Sequence, residues 1–438
     1  MSAASPWPMP SRIRVLVGDF HPHHHFGHPS SNASPSSNEP IPGFEDILVV
    51  LKTGATEALT KLPVHFSTTL RNIPHHVVYS DHAEEIAGHR VYDALDEVDE
   101  AIRNTNPDFE LYNRLNSGEE AGGGRSSIQA AELDDWTSAT NTVNGAGGNP
   151  AWRLDKWKFL PMVDKALRHR PDAKWYVFVE ADTYVVWKNL LEFLSHFDAE
   201  KPQYLGMQMS IGDVTFAYGG AGFMISNAAM RRVTQHRAQH LPELDQLTAF
   251  NWAGDCVLGK AMMDAGMTVF WGWPNIQSGQ PTDNEYGVSY PDNKMAWCFN
   301  AVSYHHASPE EIEDFWRWNQ DWDAENSTLL QHRDIFRYYL LPKLSPQRDD
   351  WDNLSDLPPL PERKIDSYEK CRLVCESLPD CMQFSYSYMN CRTSPFIRLG
   401  HRDLTGAKGA IRSGWMMDRI NAIPASMPAC SEQVWKYP

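Results

Sequence analysis

Short apolar runs that end in polar residues alternate with amphipathic stretches through the middle of the chain. Ile47 to Leu51, His76 to Tyr79 and Trp175 to Val179 are rich in β-branched and aromatic residues, a composition that predicts buried strands. After the third run, apolar residues recur at helical spacing from Leu190 to Phe197. Pro161 is expected to start or kink the helix before the third run. This order predicts an α/β domain with parallel strands.

Polar residues follow each predicted strand. Lys52-Thr53-Gly54 follows the first, Ser80-Asp81 the second and Glu180-Ala181-Asp182 the third. Because α/β proteins usually bind ligands beside the carboxyl ends of their strands, we expect these residues near a ligand. Acidic residues two apart, as in the third segment, can hold a hard divalent cation that neutralises a diphosphate. An Asp at a strand end is also a common helix N-cap, so the pair alone leaves both interpretations open.

Three further motifs follow along the chain. Tyr218 to Ser226 contains a glycine cluster, which either lets the backbone approach a ligand closely or forms a simple turn. Gly254 to Gly259 carries one acid, Asp255, close to its start. Val302 to His306 ends in a histidine pair, which either binds a metal or lies on the surface or in a satisfied core.

Trp175 to Leu190 resembles the metal-binding segment of glycosyltransferase family 31, which contains the core 1 β1,3-galactosyltransferases and the Fringe β1,3-N-acetylglucosaminyltransferases. Those enzymes usually carry three consecutive Asp residues before Thr-Tyr, where this chain has Glu180, Ala181 and Asp182. The resemblance implies that Asp182 binds the metal directly. It also implies that Glu180 supports the metal or contacts the ribose, and that the nucleotide-sugar lies against all three residues.

The later motifs continue the resemblance in the order of the family. Gly219-Gly220-Ala221-Gly222 is similar to its Gly-Gly-Ala-Gly loop, which contacts donor and acceptor. Asp255 corresponds to the second acid of an acid-acid-x-x-x-Gly motif, which is the catalytic base of the family, and Gly254 replaces the first acid. The last motif implies that a histidine joins the metal. We favour His305 over His306 because it directly follows the aromatic residue that ends the strand.

The four motifs span roughly residues 45 to 320 and together imply a GT-A-like α/β fold and a metal-dependent inverting transfer. In such a transfer the acceptor hydroxyl attacks the anomeric carbon opposite the departing diphosphate, so one carboxylate, Asp255, takes the hydroxyl proton. A metal held by Asp182 and a histidine stabilises the leaving phosphate. Oxygen ligands with an imidazole suit Mn²⁺ better than Mg²⁺, so Mn²⁺ is the expected cofactor.

The nucleotide is predicted to bind beside the first two strands. The resemblance places the Thr-Gly step at Thr53 against the uridine, and Asp81 is a further candidate, although Ser-Asp turns are common without such a role. Leu154 to Lys158 resembles a basic segment of the family. Lys156 or Lys158 could therefore reach a phosphate, or could lie on a solvated helix face.

The most specific prediction is β1,3-galactosyl transfer from UDP-galactose to a glycan or glycoprotein acceptor. The Thr-Tyr pattern and the glycine loop are closer to the core 1 enzymes, whereas Asp-Cys-x-x-Gly is closer to Fringe, so UDP-N-acetylglucosamine and UDP-glucose stay open as donors. Because Ala181 and Gly254 each stand where relatives carry an acid, a catalytically silent glycan-binding or chaperone-like relative also stays open.

Five of the seven cysteines lie in the C-terminal part of the chain. The spacing Cys371-x3-Cys375-x5-Cys381-x9-Cys391 resembles a PAN/Apple-type module, a small domain stapled by disulfides. That resemblance implies the pairs Cys371 with Cys391 and Cys375 with Cys381. Zinc binding is the alternative. A secreted adhesion protein whose function lies in this module is a third functional hypothesis.

Cys430 is expected to pair with Cys256 or Cys298, which leaves one thiol unassigned. Disulfides at this density are typical of the secretory pathway, and sequons at Asn326 and Asn353 agree with that location. We expect the Golgi lumen or secretion. Family members are usually type II Golgi proteins, but no apolar stretch near residue 1 is long enough to span a bilayer. Either the anchor is missing from this sequence or the protein is soluble in the lumen.

Changes of composition predict the domain boundaries. Residues 1–42, rich in Pro, Ser and His, are expected to form a disordered or extended arm. Residues 43–345 form the predicted catalytic domain, with a loop insertion over 115–149. Residues 346–362, dense in Pro and Asp, are predicted as a linker to a PAN/Apple-like module and tail over 363–438.

Length and charge limit the class of protein. A chain of 438 residues with 42% hydrophobic residues can bury a large core and form two or three domains. Its formal net charge of −17 argues against nucleic acid as a partner, because phosphate backbones select basic surfaces. The same charge disfavours simple adsorption to anionic lipid.

Overall fold

The computed structural model of the protein describes residues 41–117, 124, 125, 128, 132, 150–284, 296–357, 365–403, 410–427, 430 and 435. The predicted arm therefore lies almost wholly outside the described residues, as does most of the predicted insertion over 115–149.

The N-terminal part of the chain is built on one large mixed sheet. The strands of this part of the chain are, in chain order, β1 (Ile47–Lys52), β2 (His76–Ser80), β3 (Glu84–Ile86), β4 (His89–Asp93), β5 (Trp175–Glu180), β6 (Tyr184–Val185), β7 (Tyr204–Gly206), β8 (Gln208–Ile211), β9 (Val214–Ala217), β10 (Phe223–Ser226), β11 (Phe270–Trp271) and β12 (Ser303–Tyr304). Eight of them form a sheet in the order β11-β7-β10-β5-β1-β2-β4-β3. β1 is parallel to both β2 and β5, whereas β10 runs antiparallel to β5 and β7.

The central strands are buried on both faces. Leu48 and Val50 of β1 pack in one apolar core, and Val49 and Leu51 pack in a second core on the opposite face. A parallel strand covered on both sides is apolar at nearly every position, which is why the uninterrupted run predicted a strand. The predictions for β1 and β5 are confirmed, and each strand extends one polar residue beyond its apolar run.

Helices cover both faces of this sheet. In chain order they are α1 (Ala58–Ser67), α2 (Glu100–Thr105), α3 (Glu110–Asn116), α4 (Pro150–His169), α5 (Trp187–Ser195), α6 (Asn227–Gln239), α7 (Leu241–Phe250), α8 (Gly254–Asp264), α9 (Pro309–Glu325) and α10 (His332–Asp334). Leu154 and Trp157 of α4 pack in the first core, and Leu62 of α1 and Leu190 of α5 pack in the second. Pro161 was predicted to start or kink this helix. It lies inside α4, so it does not start the helix.

The C-terminal part forms a smaller sheet. It contains β13 (Gln347–Asp349), β14 (Trp351–Asp352), helix α11 (Tyr368–Ser377), β15 (Gln383–Ser387), β16 (Asn390–Ser394), β17 (His401–Arg402), β18 (Arg412–Trp415) and helix α12 (Met417–Ser426). Four strands pair in the order β13-β18-β15-β16, and β14 pairs with β17. The apolar cluster beneath α11 includes the four cysteines of the predicted module.

The predicted linker is wrong over its described residues, 346–357. β13 in this stretch pairs antiparallel with β18, and β14 pairs with β17. The density of Pro and Asp in the sequence predicted a segment without strand pairing. Strands β17 and β18, which follow much later in the chain, provide the backbone partners for β14 and β13. Residues 358–362 of the predicted linker lie outside the described residues.

Three disulfides connect the cysteines. Both pairs implied by the resemblance are present, Cys371–Cys391 and Cys375–Cys381, and they use the thiols that zinc would need. The third bond joins Cys298 to Cys430, one of the two partners predicted for Cys430. Cys256, the other, is a buried free thiol.

The two sequons differ in their surroundings. Asn353 is buried, and its Nδ2 donates to the carbonyls of Phe384 at 3.1 Å and Gly414 at 3.3 Å. A glycan on that nitrogen is incompatible with keeping both hydrogen bonds, so the Asn353 sequon gives no support to a secretory location. Asn326 ends α9, is half-buried and donates to the carbonyl of Trp322 at 3.0 Å. Among the described residues, no helix combines the length and apolarity needed to cross a bilayer.

Candidate active site

A cleft of about 450 Å³ opens at the carboxyl ends of β1 and β5. The two strands pair in register, with Lys52 beside Glu180, so the polar residues after both strands reach the same edge of the sheet. Side chains from α1, α4, the glycine loop, the start of α8 and the histidine pair complete the lining. The charged and imidazole groups that matter for chemistry are Lys61, Asp155, Glu180, Asp182, Asp255, His305 and His306.

The turn after β5 is fixed from two sides. Thr183 Oγ1 accepts a hydrogen bond from the Glu180 N–H at 3.1 Å and donates to the Gly220 carbonyl at 2.7 Å. The Ala181 carbonyl lies 2.8 Å from Nε2 of His65, a buried histidine of α1. Ala181 packs its own side chain in the second core. An acid in place of Ala181 would be buried among apolar groups, which disfavours an acid there. The nucleotide-sugar was predicted to lie against Ala181, but the Ala181 side chain does not line the cleft.

Asp182 and the histidine pair form a group suited to a metal ion. Asp182 Oδ1 lies 3.0 Å from His305 Nε2, and one ligand atom from each of Asp182, His305 and His306 lies within 4.8 Å of the others. Nδ1 of His306 is buried and has no hydrogen-bond partner among the described residues. His306 also has φ of +65°, a conformation that non-glycine residues seldom adopt. A carboxylate with two imidazoles is a donor set that fits Mn²⁺ or a similar first-row ion.

The charges around Asp182 hold it ionised. Burial alone would raise its pKa, but the His305 imidazole and the Lys61 ammonium outweigh burial and keep that pKa well below its usual range. Lys61 Nζ lies 3.1 Å from Asp182 Oδ2 and 2.7 Å from Glu57. Burial lowers the pKa of His305, but Asp182 outweighs this and raises it. Burial and the neighbouring His305 lower the pKa of His306 to about 4, so its ring is neutral and able to ligate at neutral pH.

Glu180 belongs to a second group of charges. Its Oε1 lies 2.9 Å from Nζ of Lys52, which also contacts Asp155 at 2.5 Å. Its Oε2 is 3.8 Å from His305 Nε2, so Glu180 borders the metal-type group without being one of its three members. Burial raises the pKa of Glu180, with Lys52 opposing that shift. Burial alone would lower the pKa of Lys52, but Asp155 and Glu180 outweigh it and raise that pKa above its usual value.

The glycine loop packs against this chemistry too closely for side chains. A Cβ on Gly220 would lie 2.5 Å from His305 Nε2, and one on Gly219 would lie 2.8 Å from the ring of Phe159. Gly222 has φ of +83°, a left-handed conformation that glycine adopts without strain. Ser303 Oγ holds the loop from β12 by donating to the Ala221 carbonyl at 2.6 Å. The loop is thus the floor of the cleft, with the metal-type group on one side.

Asp255 lies on the other side of the loop, in the first turn of α8. Its Oδ2 accepts from the Gly219 N–H at 2.9 Å and its Oδ1 accepts from the Cys256 N–H at 2.8 Å. Burial raises the pKa of Asp255 to about 6, partly opposed by the Gly219 hydrogen bond. A Cβ on Gly254 would lie 2.6 Å from Cα of Lys156, so close packing of α8 on α4 leaves no room for the acid that relatives carry there.

The residues predicted around the nucleotide are brought together, but mostly beneath the cleft surface. Thr53 is buried, and its carbonyl accepts from Nζ of Lys158 at 2.8 Å. Lys158 also lies 3.7 Å from Asp81, a buried residue that accepts from the Ala55 N–H at 2.6 Å. Lys156 lines the cleft and donates to the Ala249 carbonyl at 3.1 Å. Of these four residues, Lys156 and Lys158 line the cleft, and the Lys158 side chain is buried against Thr53 and Asp81.

Sequence reasoning assigned no chemical role to Lys61 and Asp155 in the cleft or to His65, and it placed Lys52 near the ligand without predicting its ion pairs. Lys61 and His65 lie four residues apart on α1 and therefore share a helix face. That spacing was a usable signal, since α1 follows a strand whose end was expected to bind a ligand. Lys52 could have been found as the polar residue that ends an otherwise apolar strand.

A large mixed α/β sheet with this cleft at its edge is consistent with a GT-A-like fold, the class of nucleotide-sugar-dependent transferases. Residues 135–270 match the family model described as Fringe-like, which is a glycosyltransferase family of the family 31 type. The match covers less than half of the chain. It includes Glu180, Asp182, the glycine loop and Asp255, whereas Thr53 and His305 lie outside it.

Proposed function

We propose that the protein is an inverting, metal-dependent glycosyltransferase that uses a UDP-sugar donor and a glycan or glycoprotein acceptor. One observation carries the proposal: three metal-type ligands share a cleft with a separate carboxylate, Asp255, which two backbone N–H groups hold in place. The Fringe-like match, which covers Asp182 and Asp255 but not the histidine pair, supports a glycosyltransferase.

Asp255 is the general base of the proposed reaction. The acceptor hydroxyl attacks the anomeric carbon of the donor, the bond from that carbon to the phosphate oxygen breaks, and the hydroxyl proton passes to Asp255. A base works best when its pKa lies near the working pH, and burial has raised the pKa of Asp255 to about 6. Asp182, Asp255 and His305 all line the same cleft, and this shared position favours an enzyme over the silent-relative hypothesis.

The leaving diphosphate would be neutralised by a cation at Asp182, His305 and His306, for which Mn²⁺ fits the donor set. When bound, such an ion stabilises negative charge on the departing phosphate. Lys61 adds a fixed positive charge, since it already contacts Asp182. Lys52 keeps Glu180 in position beside this group through their ion pair.

The more specific activity we propose is β1,3-galactosyl transfer from UDP-galactose. It rests on the resemblance of the glycine loop and the Thr-Tyr pattern to core 1 enzymes, and UDP-N-acetylglucosamine and UDP-glucose are the next donors. We also propose action in the lumen of the secretory pathway, which the three disulfides support.

The test is UDP release from a panel of UDP-sugars with Mn²⁺, with and without β-galactoside and α-N-acetylgalactosaminide acceptors. We expect one donor to give release that an acceptor stimulates. Asp255→Asn and Asp182→Ala should each reduce that rate by at least about a hundredfold, because each removes a group that acts directly in the transfer.

Asp172→Asn is the matched control, because its side chain is 80% exposed and remote from the cleft. It should retain wild-type activity. Absence of release with every donor, despite metal-dependent UDP binding, would favour a silent glycan-binding relative. Full activity of Asp255→Asn would exclude the proposed base.

A further inference from the structure

Two large aromatic side chains stand exposed on the rim of the cleft. Phe250 is 85% exposed and Trp252 is 67% exposed, and both belong to the cleft lining. Burial of side chains of this size stabilises a fold, so leaving both in water forgoes that stabilisation. The pair lies at the end of α7 and just after it, a few residues before Asp255.

The segment that carries these rings is held at both ends. Lys156 donates to the carbonyl of Ala249 at 3.1 Å, and the Ala253 N–H donates to Asn251 Oδ1 at 3.0 Å. The Asn251 N–H also donates to the Leu247 carbonyl at 2.9 Å and closes the helix. The backbone around the rings is thus anchored while the rings themselves face solvent, an arrangement suited to presenting them to a ligand.

The chemistry of the rim matches a pyranose ring. A sugar presents a face of polarised C–H groups and a periphery of hydroxyls, and the negative face of an aromatic ring attracts such C–H groups. The two rings are separated by the polar Asn251, and the exposed Arg153 also lines the cleft. A purely apolar partner would leave the guanidinium of Arg153 without water, whereas the hydroxyls of a sugar can bond with it.

We infer that Phe250 and Trp252 form the acceptor platform, on which a pyranose unit of the acceptor glycan stacks so that its hydroxyl reaches Asp255. The inference rests on the proposed glycosyl transfer and adds the acceptor-specificity residues to it. Trp252 is three residues before Asp255 and Phe250 is five residues before it, so the platform and the base lie on one short segment. Neither ring belongs to the group of Asp182 and the histidines, so the platform acts on the acceptor and not on the donor.

Kinetics with a UDP-sugar donor and a glycan acceptor test the platform. Trp252→Ala and Phe250→Ala should each raise the KM for the acceptor by roughly tenfold, as expected for loss of one aromatic contact. The KM for the donor and the slow release of UDP without acceptor should not change. Trp252→Phe, which keeps a ring, should recover most of the acceptor affinity. Trp271→Ala is the matched control, because Trp271 is 52% exposed on β11 and does not line the cleft.

Binding without turnover separates this inference from the proposed function. Saturation-transfer NMR with methyl glycosides of galactose, N-acetylgalactosamine, N-acetylglucosamine and glucose should show contacts to ring C–H groups of at least one sugar. Those signals should disappear in Trp252→Ala and persist in Trp271→Ala. Sugar binding through Trp252 without transfer would overturn the proposed function and keep the platform.

The opposite result would also be informative. An acceptor KM that stays unchanged in both alanine variants, in an enzyme that does transfer sugar, would overturn the platform and keep the function. Saturation transfer to none of the sugars would also overturn the platform. A change of oligomeric state as the main effect of Trp252→Ala would overturn it as well, and would assign the rings to contact between copies of the chain. Melting temperatures should match the wild type, because both rings are outside the apolar cores.

Discussion

At the scale of single residues, the site depends on two carboxylates, Asp182 and Asp255, whose surroundings shift their pKa values in opposite directions. Asp182 stays ionised because a histidine and a lysine face it, whereas burial raises the pKa of Asp255 to about 6. Motifs in the sequence predicted both acids, since each follows or begins an element with a recognisable pattern. Lys61 and His65 belong to no such motif, and their approach to the turn after β5 depends on how α1 packs on the sheet.

The raised pKa of Asp255 predicts a pH dependence. A general base acts only when ionised, and its ionised fraction rises with pH, so kcat/KM should fall about tenfold per pH unit below about pH 6 and level off above it. The measurement is the rate of acceptor-stimulated UDP release across that range. Asp255→Asn should show a low rate without this rise. A wild-type rate that stays flat through pH 6, in protein whose fold is unchanged by circular dichroism, would contradict the assignment of Asp255.

At the scale of elements, strands were predictable where their own composition determines their burial. β1 and β5 lie at the centre of the sheet and are apolar throughout, so the local pattern was sufficient. The stretch over 346–357 was misassigned because its strands exist only through pairing with β18 and β17, which follow more than forty residues later. The contact of the glycine loop with His305 could not be predicted from the sequence either, because the loop precedes β10 whereas His305 follows β12.

Gly220→Ala tests how tightly that loop fits. The added Cβ would lie 2.5 Å from His305 Nε2, so the imidazole must move from the metal-type group. Disturbing the position of a metal ligand should weaken Mn²⁺ binding by roughly tenfold to hundredfold, and the overpacking should also cost about 1–3 kcal/mol of stability. Electron paramagnetic resonance of free Mn²⁺ gives the dissociation constant directly.

Gly279→Ala is the control for that measurement, because the nearest atom to its added Cβ would be 3.8 Å away, on Asn284. It should bind Mn²⁺ as the wild type does. Unaltered affinity in Gly220→Ala would show that His305 does not need its present position to bind the ion.

At the scale of the whole molecule, the C-terminal part is tied to the N-terminal part by bonds and packing. The Cys298–Cys430 disulfide joins residues 132 apart in sequence. Trp435 is buried in the second core, with its ring centroid 5.8 Å from that of Phe193. The Leu399 N–H donates to the Thr282 carbonyl at 3.0 Å, and the Gly400 N–H donates to Asp283 Oδ1 at 3.0 Å. The cysteine count left the partner of Cys430 open because Cys256 and Cys298 differ only in where the fold places them.

Removing the long-range disulfide should destabilise the protein more than removing the short one. A cross-link restricts the unfolded chain more when it closes a longer loop, so the double variant Cys298→Ser, Cys430→Ser should lose about 2–4 kcal/mol of unfolding free energy. The measurement is denaturation by urea followed by tryptophan fluorescence. The comparison variant is Cys375→Ser, Cys381→Ser, whose cysteines are only 6 residues apart and whose loss should be smaller. Equal losses would mean that the long loop is already restricted without the bond.

The long-range disulfide also determines what a protease can separate. The backbone and the Cys298–Cys430 bond together form a covalent ring that contains every residue between these two cysteines. A single cut anywhere in that ring opens it but leaves both products joined through sulfur. Such a nicked protein would migrate as one species on a non-reducing gel and as two fragments after reduction, and its C-terminal part would stay attached to the part that carries the cleft.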